Sequence, residues 1–217
     1  MCGRFYLDVD FAEVMKHYFG QVTTPVQAKA GEYFPTDQVP VVRMGSQGPK
    51  LTRMRWGFAP AYANRPLINA RSETILTKKT FSEAFIHRRC LIPASGFYEW
   101  ESLGDKKKAK RKVFVPGQEI VSFAAIYDRF QDKNGENFWG FSILTKAANV
   151  HLEKIHDRMP LILTKDQEKV WIGNHGQTLD PLLALIDAVD PLLAIEPVDD
   201  PGDKAGGDPS QEQLTLF

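Results

Sequence analysis

Short apolar runs separated by turn residues dominate the chain and predict a fold rich in strands. Segments with β-branched and aromatic residues, bounded by Gly, Pro, Asn or Asp, are typical of strands. The pattern predicts a strand over each of the ranges 39–44, 51–56, 90–93, 112–115, 120–127, 138–145 and 193–197.

Helical periodicity appears in fewer places. The first helix is predicted from Asp10 to Phe19, with Gly20 as its stop, because its apolar residues recur at a spacing that places them on one face. Those residues are Phe11, Val14, Met15, Tyr18 and Phe19. Further helices are predicted over 81–88, 148–154, 166–172 and 181–187. Strands in runs, with interspersed helices and no regular βαβ alternation, favour an α+β fold. We expect a mixed, largely antiparallel sheet or open barrel flanked by short helices.

Length and composition describe an ordinary globular chain. It has 217 residues, of which 43% are hydrophobic and 25% charged. No apolar run approaches the roughly 20 residues of a membrane helix, and the N-terminus lacks the apolar stretch of a secretory signal. We therefore expect a cytoplasmic protein without membrane contact. Its two cysteines, Cys2 and Cys90, cannot form a disulfide framework, and no Cys/His cluster has zinc-ligand spacing, so no metal or cofactor is predicted.

The net charge of zero hides an uneven distribution. Residues 199–217 carry five acidic side chains and one lysine, which leaves 26 basic and 22 acidic residues in the body. Since this tail is rich in Gly, Asp and Pro, we predict a domain over 1–198 and a flexible acidic tail over 199–217. The basic excess permits an anionic partner. The basic run 106–112 is interpreted as a solvated loop between strands.

Cys2 is the most distinctive candidate for chemistry. Initiator methionine is normally removed when the next residue is small, so the mature chain would begin with a thiol and an α-amine on adjacent carbons. Their reference pKa values, about 8.5 and about 7.7–8.0, leave part of the amine uncharged near neutral pH. An aldehyde would form a Schiff base with the amine, and the tethered thiol would close a five-membered thiazolidine. Cys90 precedes an apolar strand and is interpreted as a small buried hydrophobe.

Three further segments carry polar residues in unusual settings. Asn69 and Arg71 lie two apart, hence on one side of an extended chain. Glu99 is a lone acid among aromatic residues, where desolvation would favour its protonated form and suit it to proton transfer. His156 lies at the predicted end of a helix, shortly before Pro160. Taken singly, Asn69 could be a turn former, Glu99 a surface strand residue and His156 a cap.

Together, five ordered motifs resemble the SRAP family (SOS-response-associated peptidase), whose members are abasic-site cross-linking proteins. The motifs are Cys2-Gly3-Arg4-Phe5, Trp56-Gly57-Phe58-Ala59-Pro60, Asn69-Ala70-Arg71-Ser72-Glu73, Gly96-Phe97-Tyr98-Glu99-Trp100 and His156-Asp157-Arg158-Met159-Pro160. The resemblance runs from residue 2 to about 198. It implies covalent capture of abasic sites in single-stranded DNA, and with that a protein associated with the nucleoid.

The resemblance also implies roles for individual residues. Cys2 would be the cross-linking nucleophile, and Asn69 would hold its amine. Glu99 would transfer protons during opening of the sugar ring and formation of the imine, and His156 would assist ring opening and reversal. The residues implied at phosphates are Arg4, Arg71, Lys79 and Arg158, and those implied along the groove are Pro35, Trp56, Tyr62 and Thr145. Related sequences often carry Trp near position 62, as a wedge against stacked bases, where this chain has Tyr.

Two alternatives of other classes stay open at this point. A cysteine peptidase would use Cys2 as an N-terminal nucleophile on an amide and would turn over. A non-covalent single-stranded-DNA binder would have the basic groove and aromatic residues but an idle Cys2.

The C-terminus carries a separate motif. Leu214, Leu216 and Phe217 are apolar residues at the tip of a hydrophilic tail. With Gln213 they resemble the Gln-Leu-x-Leu-Phe peptide through which bacterial repair proteins bind the DNA sliding clamp. Docking of these apolar residues into a partner's cleft is one interpretation. The other is that they fold back on this protein's own surface.

Overall fold

The first predicted helix forms as expected. A computed structural model describes residues 2–21, 30–105, 107–173 and 178–198. Helix α1 spans Phe11–Phe19, and the Asp10 carboxylate caps it by accepting the Glu13 backbone N–H at 2.9 Å. Gly20 ends it in the left-handed region, with φ at 71°. Both signals were readable in the sequence because capping acids and terminal glycines act locally.

The remaining elements follow in chain order. The strands are β1 (Phe5–Leu7), β2 (Gly31–Tyr33), β3 (Gln38–Gly45), β4 (Gly48–Trp56), β5 (Asn69–Arg71), β6 (Arg89–Ala94), β7 (Gly96–Ser102), β8 (Lys108–Phe114), β9 (Val121–Gln131), β10 (Asn137–Ala147), β11 (Arg158–Pro160), β12 (Ile162–Leu163) and β13 (Ala194–Pro197). The helices after α1 are α2 (Lys79–His87), α3 (Lys165–Ile172) and α4 (Asp180–Ala188), and a 3₁₀ turn spans Ser72–Thr74.

Five strands form a closed ring in the order β10-β4-β3-β6-β9, because β9 pairs back onto β10. The β4–β10 pair is parallel and the other pairs of the ring are antiparallel. Gly140 permits the parallel contact, since a Cβ there would lie 2.6 Å from the Gly57 carbonyl oxygen. Strands β5 and β11 lie on opposite sides of β10. The α+β prediction is confirmed, and the barrel is closed.

A second, five-stranded antiparallel sheet covers the inner side of the ring, in the order β13-β8-β7-β1-β2. Its inward aromatic residues pack against those of the ring. The Phe5 ring centroid lies 5.1 Å from that of Trp56, and Phe97 lies 6.1 Å from Phe123. This shared core places β1 and β7 over the ring, with Arg4, just before β1, alongside Tyr98 of β7.

Alternation along the ring strands explains why the predicted runs were so continuously apolar. Cys90 and Ile92 face the inner core, whereas Leu91 between them faces the helices. On that outer side Phe85 of α2 and Trp171 of α3 complete a second core. Strands buried on both faces lose the polar alternation of a half-exposed sheet.

Two sequence predictions are corrected here. The segment 148–154 forms turns rather than a helix, and Asn149 dominates it. Its side chain accepts the His151 N–H at 3.2 Å and donates to the Pro191 carbonyl at 2.8 Å, so it competes with helical hydrogen bonding. The basic run 106–112 is mostly strand β8, and Lys110 is buried beside Glu32 at 3.0 Å. The C-terminal tail lies outside the described residues.

No helix among the described residues is long and apolar enough to cross a membrane.

Candidate active site

Cys2 lies at the entrance to β1 and is fully buried. Its Sγ lies 3.9 Å from the Arg4 carbonyl oxygen. That carbonyl also accepts the Tyr98 backbone N–H at 2.9 Å, so the chain after Cys2 runs alongside β7. The β1–β7 pairing therefore brings the start of the chain next to a strand more than ninety residues away.

Glu99 comes from β7 and points inward. It shares with Phe97 the face of β7 that packs against the ring, and it is only 3% exposed. Burial raises the pKa of the Cys2 thiol, and the nearby Glu99 carboxylate raises it further. Both effects favour the protonated thiol.

Asn69 opens β5 and reaches Cys2 from the other side. Its Nδ2 donates to the Cys2 carbonyl oxygen at 3.0 Å. Two hydrogen bonds fix the position of Ile68, the residue before Asn69. Its backbone carbonyl accepts from Trp56 Nε1 at 3.1 Å and from the Ile143 N–H at 3.0 Å. Asn69 Oδ1 is buried and has no hydrogen-bond partner among the described residues. An unused buried acceptor thus lies on the side chain that already holds Cys2.

His156 faces Glu99 across the site. It follows the turns of residues 150–155, and its Nε2 lies 3.9 Å from Glu99 Oε2. Its Nδ1 lies 3.0 Å from the backbone N of Arg158, which donates to it. The side chain is 23% exposed, so the imidazole reaches toward solvent.

The four residues predicted to carry chemistry therefore come together, although they lie far apart in the sequence. A thiol, an amide, a carboxyl group and an imidazole meet at the junction of the two sheets. Such a set can orient an amine and move protons. Among the described residues there is no cluster of three or more His, Cys, Asp or Glu suited to a metal.

Arg158 was expected to bind phosphates, but in this structure its guanidinium binds other protein groups. Its guanidinium forms a two-pronged ion pair with Glu73, with N–O distances of 2.6 and 2.9 Å. Nη2 also donates to the Thr145 carbonyl at 2.8 Å. The residue is only 9% exposed. In this structure Arg158 is a buried connector between β11, β10 and the 3₁₀ turn.

The other basic candidates differ from Arg158 in exposure. Arg71 at the end of β5 and Lys79 at the start of α2 are both exposed. Arg4 is half-buried between aromatic rings, 4.6 Å from the Phe34 centroid and 5.0 Å from that of Trp100. Arg4 Nη1 also lies 3.5 Å from Glu32. Arg71 and Lys79 are thus the more accessible cations.

Two of the residues expected along the groove have no exposed surface in this structure. Trp56 and Thr145 are fully buried, so they support Asn69 and Arg158 from beneath instead of lining a surface. Pro35 is half-buried in the turn between β2 and β3, whose Thr36 N–H donates to the Trp56 carbonyl at 2.9 Å. Tyr62 is 70% exposed, and its hydroxyl contacts that of Thr80. Tyr62 is the accessible aromatic residue of this set.

The sequence analysis did not identify the two glutamates that form ion pairs with Arg158 and Arg4. Glu73 lies within a recognised motif but was assigned no role, and Glu32 lies outside every motif. Each binds a basic residue distant in sequence, so neither pattern nor spacing could reveal the pair. A glutamate two residues after Arg71 was the one available hint.

Fold and site together define a β-barrel protein with a candidate active site built around Cys2. The chain belongs to the SRAP family: the model of that family, described as SOS response associated peptidase, matches residues 1–201.

Several relatives carry names that describe their activity. Abasic site processing protein YoqW of Bacillus subtilis is 32% identical over 202 residues, covering 88% of each chain. Abasic site processing protein YedK of Escherichia coli is 38% identical over 118 residues, covering 54% of this chain and 52% of the relative. A crystal structure of a protein from Bacteroides thetaiotaomicron shares the fold, with a TM-score of 0.78 at 23% identity and coverage of 92% and 93%.

Proposed function

We propose that this protein captures abasic sites in single-stranded DNA by forming a covalent thiazolidine with Cys2 after removal of Met1. One observation carries the proposal: Asn69 holds the Cys2 backbone at 3.0 Å and keeps a buried, unused Oδ1 acceptor. A free Cys2 amine would supply the donor that this acceptor lacks. The names of the relatives support abasic sites as the substrate.

The first step joins the amine to the sugar. An abasic deoxyribose is in equilibrium with an open aldehyde, and opening requires a proton to be moved from the anomeric hydroxyl to the ring oxygen. Glu99 and His156 supply an acid–base pair for this transfer. The Cys2 amine then attacks the aldehyde carbon, and loss of one water gives the imine.

The second step closes the ring. The Cys2 thiol adds across the imine, with sulfur bonding to the former aldehyde carbon and the thiol proton ending on nitrogen. The product has no C=N bond, so it no longer acidifies the neighbouring carbon, and strand cleavage by β-elimination is prevented. One water is released overall, and neither oxidant nor reductant is required.

The environment of the thiol favours this order over peptidase chemistry. A cysteine peptidase needs a thiolate as its first nucleophile, and such cysteines have a lowered pKa. Here burial and Glu99 raise the pKa of the Cys2 thiol. In the proposed reaction the amine attacks first, so the thiol has to give up its proton only during ring closure.

The DNA strand would follow the exposed basic side chains. Arg71 and Lys79, together with Arg4, would bind phosphates without reading sequence. Tyr62 would offer its ring to a base next to the lesion, since aromatic stacking tolerates any base. Pro35 would lie along the same groove.

The test is direct. The purified protein should have lost Met1, as measured by mass spectrometry. Mixing it with an oligonucleotide that carries one abasic site should give a species that survives denaturing electrophoresis, with the mass of protein plus oligonucleotide minus one water. An oligonucleotide with a reduced, ring-opened abasic site has no aldehyde and is the matched control. Release of a cleaved peptide with repeated turnover, and no adduct, would instead establish the peptidase.

The C-terminal tail adds a separate proposal. Gln213, Leu214, Leu216 and Phe217 would bind the bacterial sliding clamp and raise the local concentration of the protein at DNA. A peptide of residues 208–217, titrated against a bacterial clamp, should bind more tightly than the same peptide with Leu216→Ala and Phe217→Ala. Equal binding by both peptides would remove this part of the proposal.

A further inference from the structure

A two-pronged ion pair lies next to the candidate active site and has no part in the proposed chemistry. Both carboxylate oxygens of Glu73 engage the two terminal nitrogens of Arg158, at 2.6 and 2.9 Å. This geometry is the strongest form of arginine–carboxylate contact and fixes both groups in one plane. The guanidinium is buried whereas Glu73 is half-exposed, so the acid reaches in from the surface.

The same guanidinium is tied to the barrel. Nη2 donates to the Thr145 carbonyl at 2.8 Å, and Thr145 pairs with Pro160 in the β10–β11 register. Arg158 itself pairs with Ala147 at the start of β11. The ion pair therefore fixes the first residue of β11 against both β10 and the turn after β5.

The backbone of Arg158 transmits this constraint to His156. Its N–H donates to His156 Nδ1 at 3.0 Å, so Nδ1 acts as an acceptor and the ring hydrogen of the neutral imidazole lies on Nε2. That nitrogen is the one that faces Glu99, 3.9 Å from Oε2. The Asp157 carboxylate also lies 2.9 Å from Nδ1, but it is 81% exposed. Water competes for Asp157, so the backbone contact sets the tautomer of the neutral ring.

We infer that Glu73 is a positioning residue, which fixes Arg158 and through it the orientation and tautomer of His156. A hydrogen on Nε2 is available to the sugar or to Glu99. The other tautomer would present a lone pair there, and a ring turned over would present the Cε1–H. The catalytic consequence rests on the proposed function. The structural consequence does not, because it concerns the imidazole alone.

A different role for Glu73 makes the opposite prediction. If Glu73 merely fills a phosphate site in the free protein, DNA must displace it, and its removal should tighten DNA binding. If Glu73 positions His156, its removal should leave affinity unchanged and slow the reaction. Affinity and rate therefore separate the two roles.

The experiment compares Glu73→Ala and Glu73→Gln with Glu83→Ala. Glu83 is a matched control, since it is an exposed glutamate 3.6 Å from a different histidine, His87. Imidazole ¹⁵N and ¹H shifts of His156, assigned with His156→Gln, report its tautomer without any DNA. Filter binding of single-stranded DNA and the rate of adduct formation across pH are measured on the same proteins.

Wild type and Glu83→Ala should show His156 with hydrogen on Nε2, whereas Glu73→Ala should show averaged nitrogen shifts. Adduct formation by Glu73→Ala should be about tenfold slower, less than the ~10²–10⁴-fold cost of losing an acid–base group itself. Its pH profile should shift, its DNA affinity should stay within about twofold, and Glu73→Gln should recover part of the rate.

Unchanged His156 shifts in Glu73→Ala would overturn the inference, as would tighter DNA binding at an unchanged rate. If wild type formed no adduct, the proposed function would fail while the tautomer measurement still decided the role of Glu73. Arg158→Lys provides a second variant if Glu73→Ala does not fold. Lysine keeps the positive charge but cannot form two parallel hydrogen bonds with Glu73, so this variant should give the same averaged nitrogen shifts.

Discussion

The candidate active site and the exposed cations Arg71 and Lys79, which we call the cationic rim, are fixed to very different degrees. Asn69 is held at Cys2, and Arg71, two residues later, is exposed. At the centre, Cys2 and Glu99 are buried, and Asn69 and His156 contact fixed partners. At the rim, Arg71 and Lys79 extend from the ends of β5 and α2.

This difference matches what the proposed function would require of each region. Proton transfer and ring closure depend on the positions of individual atoms, so groups fixed in advance lower the barrier. Phosphates recur along every strand and can be met by side chains that move. Arg158 lies between the two cases, because it is a cation by sequence but is built into the scaffold. Four experiments test how far this division holds.

The largest effect is expected at Cys2. Cys2→Ala keeps an N-terminal amine but has no thiol, so an imine can form and the ring cannot close. We expect no adduct that survives denaturing electrophoresis. Cys90→Ala is the matched control, because Cys90 is equally buried but lies on β6 in the core beneath the site. A stable adduct of normal yield with Cys2→Ala would exclude the thiazolidine.

Glu99 should separate chemistry from binding. Glu99→Gln keeps the shape and removes the ionisable group, so adduct formation should slow by ~10²–10⁴-fold. Affinity for single-stranded DNA should change little, because Glu99 is only 3% exposed. The measurements are single-turnover rates and equilibrium binding on one oligonucleotide. Glu101→Gln, two residues further along β7 and paired with Arg111 at 2.7 Å, is the control. A wild-type rate in Glu99→Gln would reduce Glu99 to a structural residue.

Substitutions in the cationic rim should weaken DNA binding and leave the rate of adduct formation unchanged. Arg71→Ala and Lys79→Ala should weaken DNA binding several-fold for all sequences alike, with little change in the rate once DNA is bound. Each lost phosphate contact should lower the slope of log affinity against log salt by about 0.7 for single-stranded DNA. Binding of Arg129→Ala, an exposed arginine of β9, serves as the comparison. Salt-independent binding of wild-type protein would contradict a phosphate-tracking groove.

The same contrast explains what the sequence could reveal. Elements with local signals were predictable, such as α1 between Asp10 and Gly20, and the long apolar strands of the ring. Strands β1, β5 and β11 have three residues each, too short to show periodicity. These short strands nevertheless carry or adjoin the site. They exist because β7 and β10 supply their hydrogen bonds, which is a tertiary effect.

The candidate site was predictable only in part. Cys2, Asn69, Glu99 and His156 were found through recognised motifs, and their convergence needed the two sheets. The pairing of Glu73 with Arg158 spans 85 residues and has no local signature. The burial of Trp56 and Thr145 could not be predicted either, because a motif match identifies a residue but not its solvent exposure.

The smallest predicted effect concerns the contribution of the Glu73–Arg158 ion pair to the stability of the protein. The Arg158 side chain, which donates hydrogen bonds to Glu73, holds the pKa of Glu73 below its usual 4.5. A carboxyl with a lowered pKa in the folded state stabilises the protein fully above its unfolded pKa, and this contribution is lost as the pH falls through the folded value. Wild type should therefore lose more stability than Glu73→Gln between pH 6 and pH 3. Because Glu73 is half-exposed and screened by solvent, we expect a difference of about 0.5 kcal/mol in the free energy of unfolding.

Urea unfolding at both pH values measures this difference, with Glu83→Gln to correct for the general effect of removing a negative charge. Equal losses in wild type and Glu73→Gln would mean that the ion pair adds nothing to stability, and that any effect of Glu73 on the reaction arises from the orientation of His156 alone.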